Sequence, residues 1–460
     1  MGAEWVEEEM RYLKLADVRV TKRAKQLIAS FSEQPAQSIP EAMAGWAATK
    51  GAYRFFDSEH AEEEQIRQAH YRASSERVSG HRRVLAIQDT SDVNYAGKQV
   101  AEALGHLSNQ HAQGLRMHST LAVSEAGVPL GLLDQQIWSR TEESKGKAKE
   151  RRKKDTAEKE SQRWLTAVQR VEQLVPGDTE IVHVADREGD IYDLLAVERQ
   201  ARSHLLIRME HNRRVEHAQR YVWEAIHQAP LAGEITVEVT PQANREARLA
   251  QVSVRFLSLT IRPPHQRAGQ GVALQFILAE EHDVPAGADP IVWLLATDLP
   301  VTCLEEALQC IYYYSLRWLI ERFHFVLKSG CRIERLYLQT PDRLLRALAL
   351  YSIVAWRLLW LTYEARKSPD QPCTVILKTH EWQALYCTIH KTPIPPAEPP
   401  SLYQAVVWIA RLGGFLARTG DGFPGPKTIW QGLRRLDDIA DTWLLLHPDL
   451  PYQSLTENYG

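Results

Sequence analysis

Three acids in this chain stand where carboxylate chemistry could be done: Asp89, Asp186 and Glu321. Val84-Leu85-Ala86-Ile87 is a short apolar run leading into Gln88-Asp89-Thr90, and the run over 180–185 ends at Asp186. Each reads as a buried strand with a carboxylate at its C-terminal end. Glu321 lies in YSLRWLIERFHFVLK, Tyr314 to Lys328. On a helix at ~100° per residue, Tyr314, Arg317, Glu321 and Lys328 fall within an arc of roughly 60°. Leu316, Leu319, Ile320, Phe323, Val326 and Leu327 take the opposite side, so the spacing predicts an amphipathic helix with its apolar stripe in the core. A lone Glu between Arg and Lys is usually a solvated charge pattern, and an Asp at a strand end is often only a helix cap. Here the two aspartates, 97 positions apart, can lie side by side in one sheet, with Glu321 offered by a helix packed on it. Three carboxylates at one point repel one another and favour hard cations. A pair of ions about 3.5–4 Å apart can activate an attacking oxygen and stabilise a leaving one. Arg317, Lys328 and Tyr314 suit a phosphodiester: cations for backbone oxygens and a hydroxyl for a further contact.

The elements that must hold these residues follow from the patterning. Residues 1–75 read as helical; the segment RYLKLADVRVTKRAKQLIASF sets Arg11, Lys14, Arg19, Lys22, Arg23 and Lys25 against a single acid, Asp17, and Ser38 and Pro40 mark a second helix start. A helical bundle with a solvated basic face and a DNA-binding helical domain fit equally well. From residue 81 strands dominate: after the Asp89 run come Arg116–Val123 and Val128–Trp138, joined at Gly127. KGKAKERRKK, residues 145–154, has seven basic residues in ten and reads as a solvated loop, with phosphate contact an open alternative. A helix is expected over about 156–174, then the Asp186 strand, a short helix, and a strand over 204–208. Residues 215–290 alternate or run apolar with turn signals, as an antiparallel β insertion would. Residues 292–297 return to the core, the Glu321 helix starts near Glu305, and 341–367 form another long helix. KTPIPPAEPP, 391–400, reads as a Pro-rich linker before a helical tail. His118 reads as a satisfied core histidine and Trp318 as packing.

With 460 residues the chain is too long for one small core. At 44% hydrophobic and 25% charged, with a net charge of -3, it is ordinary globular material without a global polyanion signal. Any nucleic-acid contact must come from local basic patches. Five scattered cysteines without metal-ligand spacing fit a reducing cytoplasm. The acidic start MGAEWVEEEM has no apolar signal core and no myristoylation pattern. The most apolar run, 347–360, is interrupted by Arg357 and reads as a buried helix too short for a bilayer.

YSLRWLIERFHFVLKSG matches Tyr-x2-Arg-x3-Glu-x6-Lys and resembles the signature of the bacterial DDE transposases of the IS-four family, most like the transposon-five type. AIQDTSDVNY and VADREGDIYD resemble the other two acidic motifs of that type. GAYRFFDSE resembles its N-terminal DNA-binding motif, EKESQRWL the segment before the second acid, and IARLGGF its C-terminal region. The resemblance implies an α/β fold: a ribonuclease-H-like mixed sheet flanked by helices, with an antiparallel β insertion and helical N- and C-terminal domains. The domain boundaries it suggests are 1–75 for DNA binding, 76–370 for catalysis with the insertion at about 215–290, and 371–460 for dimerisation. Asp89, Asp186 and Glu321 would hold two Mg2+ ions, replaceable by Mn2+. Tyr314, Arg317 and Lys328 would hold the backbone of the transposon end. Trp293, 28 residues before Glu321, would receive a flipped base, although as a strand residue alone it reads as core. Arg208 would bind a DNA hairpin near the same pocket, and Arg23 and Arg54 would contact end DNA. The implied reaction is cut-and-paste transposition by nicking, hairpin formation, hairpin opening and strand transfer. Its partners would be terminal inverted-repeat DNA, target DNA and a second copy of the chain, in a bacterial cytoplasm at the nucleoid and with no membrane. A non-catalytic DNA-binding relative and a hydrolase of small phosphoesters are the rival readings.

Overall fold

Three strands, each with a short apolar run, set the centre of the molecule. In the computed structural model β1 (Arg83–Asn94), β4 (Glu180–Ala185) and β5 (Ser203–Arg208) run parallel and adjacent. Strands covered on both faces need apolar residues at consecutive positions, and Val84 through Ile87 are all fully buried. β2 (Gly114–Ser124) and β3 (Pro129–Trp138) add an antiparallel hairpin beside β1, and its turn uses Gly127 at φ 84°. β6 (Leu231–Val239), β7 (Arg248–Ile261), β8 (Val272–His282) and β9 (Val292–Thr297) are antiparallel to their neighbours. The result is one nine-stranded mixed sheet in the order β3-β2-β1-β4-β5-β9-β8-β7-β6. The expected β insertion is therefore continuous with the main sheet, because β9 pairs with β5 on one side and β8 on the other. The structure describes residues 3–43, 45–109, 112–140, 160–239, 248–265, 269–285, 287–418 and 420–447. The basic run 145–154 lies outside them.

Helices flank both faces. The N-terminal group is α1 (Ala3–Glu9), α2 (Val18–Glu33), α3 (Ile39–Ala42), α4 (Trp46–Asp57) and α5 (Glu63–Ser79). α6 (Gln162–Leu174), α7 (Tyr192–Leu195) and α8 (Val222–Gln228) follow; α6 starts later than the expected 156, and 156–159 are outside the described residues. α9 (Leu304–Ser315), α10 (Trp318–Phe325) and α11 (Pro341–Lys367) lead to α12 (Thr379–His390), α13 (Leu402–Leu412) and α14 (Pro426–Leu446). The Pro-rich stretch before α13 is pinned rather than free: Cys373 N–H donates to Pro400 O at 2.9 Å, and Pro372 bridges Ser401.

α11 is the central rod. Among the described residues it is long and apolar enough to cross a membrane, which corrects the shorter run expected, but 78% of its apolar window is buried inside the protein. Tyr351 stacks on Phe31 of α2 at 4.5 Å, and Trp356 Nε1–H donates to Pro129 O of β3 at 3.1 Å. Arg357, the interruption in the run, lies over Trp5 and Trp360. One hydrophobic cluster runs from Val6 through Leu85, Val184 and Leu350 to Leu436, so N-terminal helices, sheet and C-terminal helices share a core.

The sheet register is held from its other face by a buried polar row. Thr90 Oγ1 meets His118 Nδ1 at 2.9 Å, and His118 Nε2 meets Gln88 Oε1 at 3.2 Å. Gln88 Nε2 meets His183 Nδ1 at 3.4 Å, and His183 Nε2 meets Ser203 Oγ at 3.2 Å. One set of tautomers satisfies every member, each group donating to the next with both imidazoles neutral. Burial, then the Arg199 charge, pushes His183 down to about 3, and burial likewise holds His118 far below its usual value. His118 is thus the satisfied core histidine expected. The row crosses β2, β1, β4 and β5, and a one-residue slip of any strand would turn its member to the other face.

Candidate active site

Alternation along each strand decides what faces what. Leu85 and Ile87 of β1 and Val182 and Val184 of β4 belong to the cluster packed under α9–α11. Two residues further along each strand, on that same face, come Asp89 and Asp186. The pairing Ile87↔Val184 and Val184↔Leu206, carried two residues further, brings Asp89 of β1, Asp186 just past the end of β4 and Arg208 of β5 to one level. Neighbouring strands lie about 4.8 Å apart, so the two carboxylates are immediate neighbours with a guanidinium next in the row. Asp89 does not end its strand as expected. β1 continues to Asn94 because β2 pairs with it over its whole length, with Asp89 opposite Ser119. Asp89 instead marks where the parallel partner β4 stops.

Asp186 is also a cap: its Oδ1 accepts from Glu188 N–H at 2.9 Å, at the start of a short turn over Arg187–Gly189. Burial, and then the Asp89 charge, raises the Asp186 carboxyl above its ordinary value, with Arg317 drawing it partly back. Two like charges on adjacent strands in a half-buried site demand a proton or a cation between them.

The helix over Tyr314–Lys328 is not continuous. α9 ends at Ser315, where Leu316 N–H turns back to Tyr313 O at 3.2 Å and Arg317 N–H to Tyr314 O at 3.0 Å. α10 then begins at Trp318, and Val326–Gly330 form a π-helical turn closed by Cys331 N–H on Val326 O at 2.8 Å. The apolar side is as expected, with Leu319, Ile320, Phe323, Val326 and Leu327 fully buried. The polar side is redistributed. Tyr314 is buried in the last turn of α9, Arg317 sits at the break, Glu321 is half-exposed in the first turn of α10, and Lys328 is half-buried in the π-helical turn.

Tyr314 closes the site against the sheet. Its ring meets Trp293 edge-on at 5.1 Å, and Arg317 lies 6.0 Å from its centroid. Burial pushes the phenol above its ordinary value against the pull of Arg317 and Arg208. Arg208 is anchored by donating to Val292 O at 2.9 Å. So Asp89, Asp186, Arg208, Trp293, Tyr314 and Arg317 gather at one end of one sheet face. Glu321 is turned to Arg317, with which it forms an ion pair. Among the described residues no three His, Cys, Asp or Glu side chains converge closely enough to hold a metal ion. Trp318, expected as packing, is edge-on to Tyr363 at 5.9 Å with Arg322 beside it.

Two neighbours of the carboxylates went unread in the sequence. His324 is buried, with Nδ1 3.5 Å from Asp89 Oδ2 and Nε2 3.4 Å from Ser119 Oγ. Its only signal was the three-residue spacing from Glu321. Arg163, in EKESQRWL, reaches Thr90 and Glu188, just beyond the two aspartates, from the opposite face, and nothing in its own spacing announced that. Arg23 and Arg54 lie apart, on the N-terminal helices. The Arg23 guanidinium rests on α4 at Gly51, where a Cβ would come within 2.9 Å of its Cζ. Trp46, Lys50 and Arg54 line the exposed side of α4 at helical spacing. Among the described residues no hydrogen bond or ion pair joins Arg23 or Arg54 to the carboxylates.

Those basic helices and the far end of the chain decide the family. Residues 2–61 match the family model described as transposase DNA-binding, and residues 353–442 match the transposase Tn5 dimerisation domain. The chain is a transposase of the Tn5 type. The transposase thus carries a DNA-binding segment and a segment for pairing with a second copy. The first takes in α1–α4, including Arg23 and Arg54. The second begins midway along α11, upstream of the expected boundary at 371, and runs through α12 and α13 into α14.

Proposed function

We propose that this transposase is a cut-and-paste enzyme of the IS-four family whose ribonuclease-H-like centre cleaves and joins DNA at terminal inverted repeats. The observation that carries the reading is the row Asp89, Asp186, Arg208 at one sheet edge, roofed by Tyr314 and Arg317, in a chain matching both family models. The run β3-β2-β1-β4-β5, antiparallel then parallel, supports the ribonuclease-H-like reading.

The donor set suits a divalent hard cation. Asp89 and Asp186 are paired oxygen donors, and the raised Asp186 carboxyl reports an electrostatic demand for positive charge. They would hold two Mg2+ ions together with Glu321, once Glu321 leaves Arg317, and Mn2+ would substitute. When bound, the metal activates the attacking oxygen and stabilises the leaving one. The remaining work belongs to the chain. Arg317 and Lys328 take the phosphates flanking the scissile bond, and the Tyr314 hydroxyl adds a third contact. Trp293 offers a π face for a flipped base, with Tyr314 edge-on behind it. Arg208 neutralises the backbone of the tightly bent hairpin. The order of events is nicking by water, attack of the freed 3′-hydroxyl on the opposite strand, hairpin opening by water, and joining of the 3′ ends to target DNA. No covalent protein intermediate is involved. Arg23 and Arg54 hold the end DNA, and two copies pair through the C-terminal helices.

The test uses the full chain and duplexes carrying the element's own ends, with Mg2+ or Mn2+. The unaltered chain should nick and form hairpins, while Glu321→Ala should bind ends but cut nothing. No cleavage by the unaltered chain even in Mn2+ would leave only a DNA-binding relative.

A further inference from the structure

Register brings Asp89 and Asp186 to one level, but the β1–β4 ladder ends at Ile87↔Val184 and Asp186 lies just past the end of β4, so no ladder hydrogen bond pins the second acid. One side chain bridges the two segments. Arg163, at the start of α6, donates from Nε to Thr90 Oγ1 at 2.9 Å and from Nη2 to Glu188 Oε2 at 2.7 Å. Thr90 follows Asp89 directly. Glu188 is the residue whose N–H caps the Asp186 carboxylate at 2.9 Å. A single planar guanidinium therefore joins the side chains of two residues just beyond the two acids.

Arg163 is itself held. Its Nη1 donates to Glu160 O at 2.8 Å, and its guanidinium lies 5.9 Å from the Trp138 ring and 5.4 Å from the Trp164 ring. Its side chain is only 9% exposed, whereas Glu188 is 56% exposed. Thr90 carries the clamp onward, since its hydroxyl also meets His118 at the end of the polar row across β2, β1, β4 and β5. A rigid fork holds its several donors in a fixed geometry, whereas an ammonium is a point charge on a flexible stem and fixes no spacing between its partners.

We propose that Arg163 is a positioning residue that sets the spacing of Asp89 and Asp186 from the reverse face of the sheet and so prepares them to share divalent metal. This rests on the reading that the two aspartates are metal ligands. Positioning and simple electrostatics predict opposite signs. A cation near two carboxylates opposes metal binding through its charge, so removing that charge alone would tighten the metal. Removing a clamp loosens the pair and weakens the metal, and outer-shell partners of this kind typically change affinity by about 10- to 100-fold.

The measurement is Mn2+ binding to the full chain without DNA, read by the paramagnetic resonance signal of free Mn2+, with melting temperature and end-DNA binding as checks. Arg163→Lys and Arg163→Met should each weaken Mn2+ by about tenfold or more, with end-DNA binding unchanged. Glu188→Gln keeps an acceptor and Glu188→Ala does not, and both lose the same charge. Glu188→Ala should therefore be the weaker binder, and Glu188 is exposed enough that its variants keep the test alive if Arg163→Met fails to fold. Arg163→Met binding Mn2+ as tightly as the unaltered chain, or tighter, overturns the clamp. So does equality of the two Glu188 variants. Asp89→Asn separates the two levels: if the unaltered chain shows no Asp89-dependent Mn2+ site, the ligand reading itself fails and takes the clamp with it.

Discussion

Gly51→Ala sets helix stability against DNA binding within a single substitution. Gly51 lies inside α4, where replacing Gly by Ala favours the helix by roughly 1 kcal/mol. The new methyl would stand 2.9 Å from Arg23 Cζ, closer than carbon atoms tolerate. The contact is with the far end of a flexible side chain, so Arg23 swings away at little cost and the helix gain survives. For 460 residues that gain is a rise in melting temperature of only about 1 °C. The DNA effect runs the other way. If Arg23 neutralises one phosphate, its displacement lowers the slope of log K against log salt by about 0.9. Near 0.1 M salt that corresponds to roughly tenfold weaker end binding. The assay is a salt series of end-DNA binding by fluorescence anisotropy, with thermal melts on the same samples. A stabilised protein with unchanged affinity and unchanged salt slope would refute the phosphate contact and leave Arg23 as a packing residue.

Two further outcomes follow from the site and the core. Trp293→Ala should nick at the normal rate but form hairpins slowly, since one base–aromatic stack is worth about 1–3 kcal/mol, or roughly 5- to 150-fold. Single-turnover gels on pre-nicked ends measure this, and an unchanged hairpin rate would sink the base-flip role. Acid stability should depend on Glu9, which is buried between His70 Nδ1 at 2.6 Å and Arg77 Nη1 at 2.7 Å. Burial opposes its ionisation, yet His70 and Arg77 hold the carboxyl at about 2 against an ordinary 4.5. A depressed acid contributes stability above its unfolded value and loses it as pH falls, here between 4.5 and about 2. Glu9's own share of that loss should be about 3 kcal/mol and be absent in Glu9→Gln, which keeps only the acid loss from charging the buried His70. Denaturant midpoints across that window test it, and parallel acid profiles for the two proteins would contradict it.

Much of the placement of these residues was legible because it follows from local pattern. The run 84–87 and the run 180–185 announced buried strands, and alternation then placed Asp89 and Asp186 on the same side as the apolar residues beneath the helices. The apolar side of α10 could be read from spacing because core burial dominates a helix of that composition. His118 could be read as a core residue because a histidine inside an apolar strand has to find neutral partners.

Other features depended on contacts distant in sequence, which no local pattern encodes. The break between α9 and α10 buries Tyr314 against Trp293, because tertiary packing there outweighs an unbroken backbone ladder. β1 runs on past Asp89 because β2 pairs with it to the end. The β insertion became three strands of the main sheet, β6 to β8, because β9 pairs with β5 on one side and β8 on the other. By itself the sequence determined which acids and cations stand as candidates, and which faces of their elements they occupy, because periodicity and side-chain type are local properties. Only the tertiary structure decided that Asp89, Asp186 and Arg208 share one level, that Glu321 is held by Arg317, and that Arg163 joins Thr90 to Glu188. Those are matters of register and long-range hydrogen bonding, fixed only when the whole core closes around α11.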